Sequence, residues 1–152
     1  MCHPQGVVAA ARALTRETLG AWLVKASGAT PSTGQHVREG FVDVTSWCAR
    51  PTYRTELVGA GQPVLLWVSG AEAAHPAGIY ARGRTTGPVS DGVMPMRLVP
   101  LEEPLLRAEL VGHPDLSSLE VLRMPAGSNP SFVTPPQLAV LVSMNEELAR
   151  PV

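Results

Sequence analysis

Charge is scarce in this sequence: 16% of its 152 residues are Asp, Glu, Lys or Arg, and the 12 basic and 13 acidic side chains leave a formal charge of -1. That balance excludes a strongly basic domain of the kind that announces a phosphate partner, so any nucleic-acid contact must come from a local patch. Aromatic residues make up only 5% of the chain, so the positions of Trp22, Trp47, Trp67, Tyr53, Tyr80, Phe41 and Phe132 carry information. Two cysteines, Cys2 and Cys48, do not make a disulfide framework. No apolar run approaches a membrane span, and the stretch from Val7 to Ala13 is short and broken by Arg12, unlike a secretory signal. A reducing cytoplasm is the expected compartment.

Several catalytic signatures are missing as well. Trp67-Val68-Ser69-Gly70-Ala71 lacks the flanking glycines of a nucleophile elbow, and no glycine cluster forms a phosphate loop or a dinucleotide fingerprint. His3, His36, His75 and His113 are isolated from one another, and neither cysteine stands at metal-ligand spacing. We therefore expect no enzyme, no metal and no cofactor.

What the chain does have is a hydrophobic fraction of 45%, enough for the core of one globular domain, punctuated by 14 Gly and 15 Pro. Such punctuation suits short strands joined by turns better than a helical bundle. Helical spacing of Val8, Ala11, Leu14 and Leu19 predicts an N-terminal helical extension over 1–20, ahead of a single domain over 21–152. Strands are predicted over 21–26, 41–45, 64–70, 77–84 and 93–98, with a loop from Ser27 to Gly40. A short helix is expected over 51–57, Leu-rich helices over 101–111 and 115–123, and a loop from Met124 to Phe132. Thr134-Pro135 then starts a last helix through Leu148. Strands with helices at the two ends make an α+β domain on a small, strongly bent sheet or barrel of about five or six strands.

Charge is also unevenly spread. Residues 1–100 carry nine basic and six acidic side chains and residues 101–152 three and seven, or +3 and -4. Lys25, Arg50, Arg54, Arg82, Arg84 and Arg97 are thus the candidates for a phosphate patch. Trp22 opens the first strand, Trp67 lies in the strand ending Ser69-Gly70, and Ser128-Asn129-Pro130-Ser131 forms a polar loop. An aromatic wall with small hydrogen-bonding groups suits a planar ligand with polar edges, such as a nucleobase. A strand tryptophan can equally be core, and Ser-Asn-Pro can simply build a turn.

Four segments in order carry a family resemblance: Trp22-Leu23-Val24-Lys25, Cys48 to Leu57 (CARPTYRTEL), Gly61 to Gly70 (GQPVLLWVSG), and Leu119 to Ser131 with Thr134-Pro135. Over roughly residues 21 to 145 the chain resembles EVE-domain proteins of the PUA-like superfamily, and among them the subset found in high-GC actinobacteria. The resemblance implies a PUA-like β-barrel with peripheral helices that reads a modified nucleobase, often a 5-substituted cytosine in DNA, or modified RNA. The sequence departs from the family at Lys25-Ala26-Ser27-Gly28 and Ser46-Trp47-Cys48-Ala49-Arg50, where readers line their pocket. With it, Trp47, Trp67, Ser69, Ser128, Asn129 and Ser131 become the expected base pocket, and Lys25, Arg50 and Arg54 the expected phosphate contacts. A metabolite-binding domain or small enzyme using the same cleft, and a protein-interaction module using the acidic C-terminal part, are the competing readings.

Overall fold

The computed structural model describes residues 14–70 and 74–152. Six strands form one curled, mixed sheet: β1 (Ala21–Ser27), β2 (Ser46–Cys48), β3 (Pro63–Ser69), β4 (Gly78–Thr85), β5 (Val93–Leu106) and β6 (Ser131–Val133), in the order β2-β5-β4-β3-β1-β6. Among the described residues four helices accompany them: α1 (Pro31–Glu39), α2 (Arg107–Val111), α3 (Glu120–Arg123) and α4 (Pro135–Met144). The expected α+β domain on a small bent barrel is what the chain forms.

Period-two alternation sorts the apolar side chains onto two faces. Trp22, Val24 and Ala26 of β1 join Val64, Leu66 and Val68 of β3 and Met94, Met96 and Leu98 of β5 in one core. The intervening Ala21, Leu23, Leu65, Trp67 and Ile79 face the other way, against Leu110, Leu116, Leu119, Val121 and Leu141 from the helical segments. Because both faces are covered, β3 reads as an unbroken apolar run rather than an alternating one. Gly83 marks the closest approach within the sheet: a Cβ there would collide with the backbone oxygen of Arg97 on β5, so only glycine fits.

β1 and β3 run parallel, with Lys25 beside Trp67, whereas every other pairing is antiparallel. A parallel pair needs a long crossover. Here the crossover carries α1, β2 and the 3-10 turn Thr55–Leu57.

Several expectations change. The loop expected over 27–40 contains α1, which starts at Pro31 and stops at Gly40 in the left-handed conformation with φ 68°. Its only buried residues are Thr33 and Gly34, so it has no apolar stripe to read. The strand expected over 41–45 is a turn, with Phe41 at φ 61°, and the strand follows at Ser46–Cys48. The helix expected over 51–57 shrinks to the 3-10 turn Thr55–Leu57. β5 runs on through the Leu-rich stretch to Leu106, which leaves α2 only Arg107–Val111. β2 pairs with β5 only at residues 93–95, so the later Pro100 and Pro104 lie where a strand tolerates a missing N–H. The second Leu-rich stretch splits into a 3-10 turn, Pro114–Leu116, and α3. β6 takes the end of the expected loop. The last helix ends at Met144, followed by the 3-10 turn Glu146–Ala149.

The start of α4 is as expected, with the Thr134 hydroxyl accepting the Gln137 N–H and the Gln137 side chain returning to the Thr134 N–H. Thr134→Ala is expected to lower stability by about 1 kcal/mol, measured by urea unfolding, while Thr134→Ser retains most of it. Most of the expected N-terminal helix, residues 1–13, lies outside the described residues. Among those that follow, Arg16–Thr18 form a turn that leads into β1.

Candidate functional site

The end of β1, the crossover after β2 and the loop before β6 meet around one side chain. Asn129 accepts the Lys25 N–H on Oδ1 at 2.8 Å and donates from Nδ2 to the Lys25 carbonyl at 3.1 Å, as a neighbouring strand would. Its own carbonyl accepts the Arg50 N–H at 2.9 Å. The Trp47 indole N–H adds a donor to the Lys25 carbonyl at 3.3 Å. Asn129 therefore extends the β1–β6 pairing beyond its ladder and ties β1 to the segment after β2, which no ladder connects to it. Asn129→Ala is expected to lower stability by about 1.5 kcal/mol, the sum of two partly exposed hydrogen bonds. Amide exchange at Lys25 should accelerate in that variant, and unchanged exchange there would refute the assignment.

Below this seam lies a partly buried ion pair. Arg54 donates to Glu120 through both terminal nitrogens, at 2.8 and 2.7 Å, and Nη1 also reaches the Pro130 carbonyl at 3.3 Å. Its guanidinium carbon stands 4.9 Å from the centre of the Phe132 ring, so the cation is held on an aromatic face as well. Ser131, 1% exposed, donates to the same Glu120 carboxylate at 2.7 Å. Burial pushes the Glu120 carboxyl up, but the hydrogen bonds from Arg54 and Ser131 and the nearby charges of Arg54 and Lys25 leave it below the usual range. Lys25 is drawn below the ordinary lysine value, chiefly by burial, with Glu120 acting against the shift.

Above the pair opens a cleft of 350 Å³ lined by Thr52, Tyr53, Arg54, Glu120, Met124, Gly127, Ser128, Asn129 and Pro130. Tyr53 is 49% exposed and Met124 59% exposed, unusual for such side chains. The Tyr53 hydroxyl accepts the Leu14 N–H at 3.2 Å, which ties the tip of the ring to the segment before β1. Lys25 reaches the rim, its ammonium 3.4 Å from the Pro125 carbonyl, and Arg50 touches the Ser128 hydroxyl at 3.4 Å.

The residues expected from the sequence are thus partly gathered and partly dispersed. Lys25, Arg50, Arg54, Ser128 and Asn129 come together here. Arg54, expected as a phosphate contact, is committed to Glu120, and Asn129 to the Lys25 backbone, because both side chains hold the chain in place. Ser131 lies beneath the cleft rather than in it. Trp67 is 2% exposed in the helix-side core and offers no face to a ligand. Ser69 donates to the Ala26 carbonyl at 3.2 Å and does not line the cleft. Trp47 is half-buried and lines a separate 350 Å³ hollow with Ser46, Cys48 and Val93. Sequence reasoning missed Tyr53, Glu120 and Met124, although Tyr53 and Glu120 lie on segments of the family resemblance.

A larger hollow of 610 Å³ runs between Phe41, Val42 and the Met96–Pro100 part of β5, but Arg97 is the only titratable side chain in it. Size and chemistry disagree here, and chemistry favours the smaller cleft, since orientation of a ligand needs convergent polar groups. Among the described residues no three His, Cys, Asp or Glu side chains are placed to hold a metal ion, and no helix is long and apolar enough to cross a membrane.

No protein-family profile matches the chain, and no curated protein matches it. Solved structures do. The chain is similar to Rpa0253 from Rhodopseudomonas palustris, with a TM-score of 0.62 at 17% identity over 86% of this chain and 95% of that one. It is similar to PSPTO5229 from Pseudomonas syringae, at 0.60 and 14% over 82% and 98%, and to Atu2648 from Agrobacterium tumefaciens, at 0.60 and 13% over 86% and 95%. At such identities the likeness is one of fold.

Proposed function

We propose that this is an EVE-type, PUA-like domain that reads a modified nucleobase without catalysis, taking one base flipped out of a DNA or RNA strand into the Tyr53–Ser128 cleft. The observation that carries the reading is an exposed aromatic ring in a small, mostly apolar cleft with a few polar groups, and with Lys25 and Arg50 beside its Gly127–Ser128 side. Tyr53 is the stacking face, Ser128 a hydrogen-bonding group for the base edge, and Lys25 and Arg50 the phosphate contacts. Stacking contributes on the order of 1 to 3 kcal/mol per base but does not separate similar bases. A buried methyl adds only about 0.8 kcal/mol, so stronger selection needs a hydrogen bond to a hydroxymethyl group or an altered edge. Ser128 is exposed and its hydroxyl has room to supply one.

A small enzyme in the same cleft is the weaker reading. No histidine or cysteine lines it, and its one carboxylate, Glu120, is held ionised by Arg54 and Ser131 rather than poised to exchange a proton. The test is fluorescence anisotropy with single- and double-stranded DNA and RNA carrying cytosine, 5-methylcytosine, 5-hydroxymethylcytosine or N6-methyladenine. Preference for one modified strand is expected, and equal affinity for all of them at low salt would sink the proposal.

A further inference from the structure

Of the six candidate phosphate contacts, Lys25, Arg50 and Arg54 gather at the Tyr53 cleft, Arg97 lines the 610 Å³ hollow, and Arg82 and Arg84 share a cavity of their own. Arg82 and Arg84 lie two residues apart on β4 and line a pocket of 220 Å³ with Arg150, closed by Leu138 and Val142 of α4. Arg82 is only 8% exposed. One terminal nitrogen donates to the Pro151 carbonyl at 3.2 Å, and its Nε–H is buried with no partner. Arg84 donates to the Gly61 carbonyl at 2.9 Å and stands directly across from Arg97 on β5. Among the described residues no carboxylate lies within 4.0 Å of these guanidinium groups, since the one such pair is Arg54 with Glu120. Glu147 acts electrostatically on Arg150, but its carboxylate is occupied by the Glu102 and Glu103 N–H groups.

A buried guanidinium with no carboxylate within 4.0 Å is unfavourable, even with Val152 lining the same pocket, and like charges opposite one another on adjacent strands add to that. A water molecule satisfies an N–H but not the charge. We propose that this pocket is a binding site for an oxyanion of the phosphate class, held by Arg82 from within and by Arg84 and Arg150 at its mouth. The planar fork of donors on arginine fits such an anion, and the space suits a small one. It shares no lining residue with the Tyr53 cleft, so it stands whether or not that cleft reads a base.

The experiment is thermal unfolding and calorimetric titration of the full chain with inorganic phosphate, against chloride at equal ionic strength. Phosphate is expected to raise the midpoint where chloride does not. Arg84→Gln and Arg150→Gln, both at exposed positions, should each weaken phosphate binding about tenfold, the loss of one charge-assisted hydrogen bond. Arg82→Met should abolish the phosphate increment while matching or exceeding the wild-type midpoint in chloride. An unmodified oligonucleotide that competes with phosphate identifies backbone phosphate as the source, and lack of competition identifies a free anion. Equal midpoints in phosphate and chloride, or an equal phosphate response in wild type and variants, overturns the site. A Tyr53→Ala protein that keeps the phosphate response separates this result from any failure of the base-reading proposal.

Discussion

Glu120→Ala is expected to be the most damaging single change at the cleft, lowering stability by about 3 kcal/mol and the unfolding midpoint by about 6 to 12 °C. The cause is what remains behind. Arg54 loses both of its short contacts yet stays pinned over Phe132 and against the Pro130 carbonyl, while the buried Ser131 hydroxyl loses its acceptor. The side chains of the pair are 23% exposed, so solvent offsets part of the penalty, which keeps the figure at the lower end of the range for broken buried pairs. Removing both charges is less harmful than removing one. The double variant Arg54→Met with Glu120→Met should lose less than its two single Met variants together, and a double-variant loss equal to that sum would show that the two groups do not interact.

The same pair gives stability a pH signature. Because the folded Glu120 carboxyl lies below its unfolded value of 4.5, the unfolded chain binds more protons between the two values. The contribution is complete above 4.5 and is lost as pH falls through the folded value. Glu147 is lowered too, mainly by the Glu102 N–H, so acid weakens the protein at two places. Chemical denaturation of wild type and Glu120→Ala at pH 7 and pH 3 separates them: the stability gap should narrow at pH 3, and a constant gap would contradict the pairing.

How much of this was legible beforehand differs by element. β1, β3 and β4 were readable because apolar runs buried on both faces carry their own signal. α1 was not, since it buries only Thr33 and Gly34 and Val37 is its one large apolar side chain, too few to mark a stripe. In the sequence the C-terminal half of β5 reads as a helix because Leu101 and Leu105 fit helical spacing as well as strand spacing, and only its pairing with β4 decides between them. The site was half-visible in the same way. A turn-rich Ser-Asn-Pro loop and a strand carrying Lys25 can each be seen in a sequence, but they meet across 104 residues and Arg54 meets Glu120 from 66 residues away, and no local pattern reveals either pairing. Nor does a strand tryptophan show its face: the parity that places Trp22 in one core and Trp67 in the other appears only once the register of β1 on β3 is fixed.

Tyr53→Ala is the change expected to affect binding most while sparing the fold. Tyr53 is half exposed and its hydroxyl accepts the Leu14 N–H and interacts with the Arg54 guanidinium, so truncation should lower stability by about 1 kcal/mol, the net worth of partly exposed hydrogen bonds. If Tyr53 stacks on the base, the loss of about 2 kcal/mol corresponds to roughly thirtyfold weaker binding of the preferred oligonucleotide. Tyr53→Phe should retain it, because the π-face survives and only the hydroxyl contacts with Leu14 and Arg54 are lost. Trp47→Ala provides the contrast. Its indole is partly built into the core and tied to the Lys25 carbonyl, so stability falls more than affinity does. Should Trp47→Ala instead fold normally and lose binding while Tyr53→Ala binds as wild type, the base would belong in the hollow beside Cys48 and Val93. Affinity measured across a salt series completes the separation. Losing a stacking ring lowers affinity by the same factor at every salt concentration, whereas Arg50→Gln flattens the slope, because only a phosphate contact releases counterions.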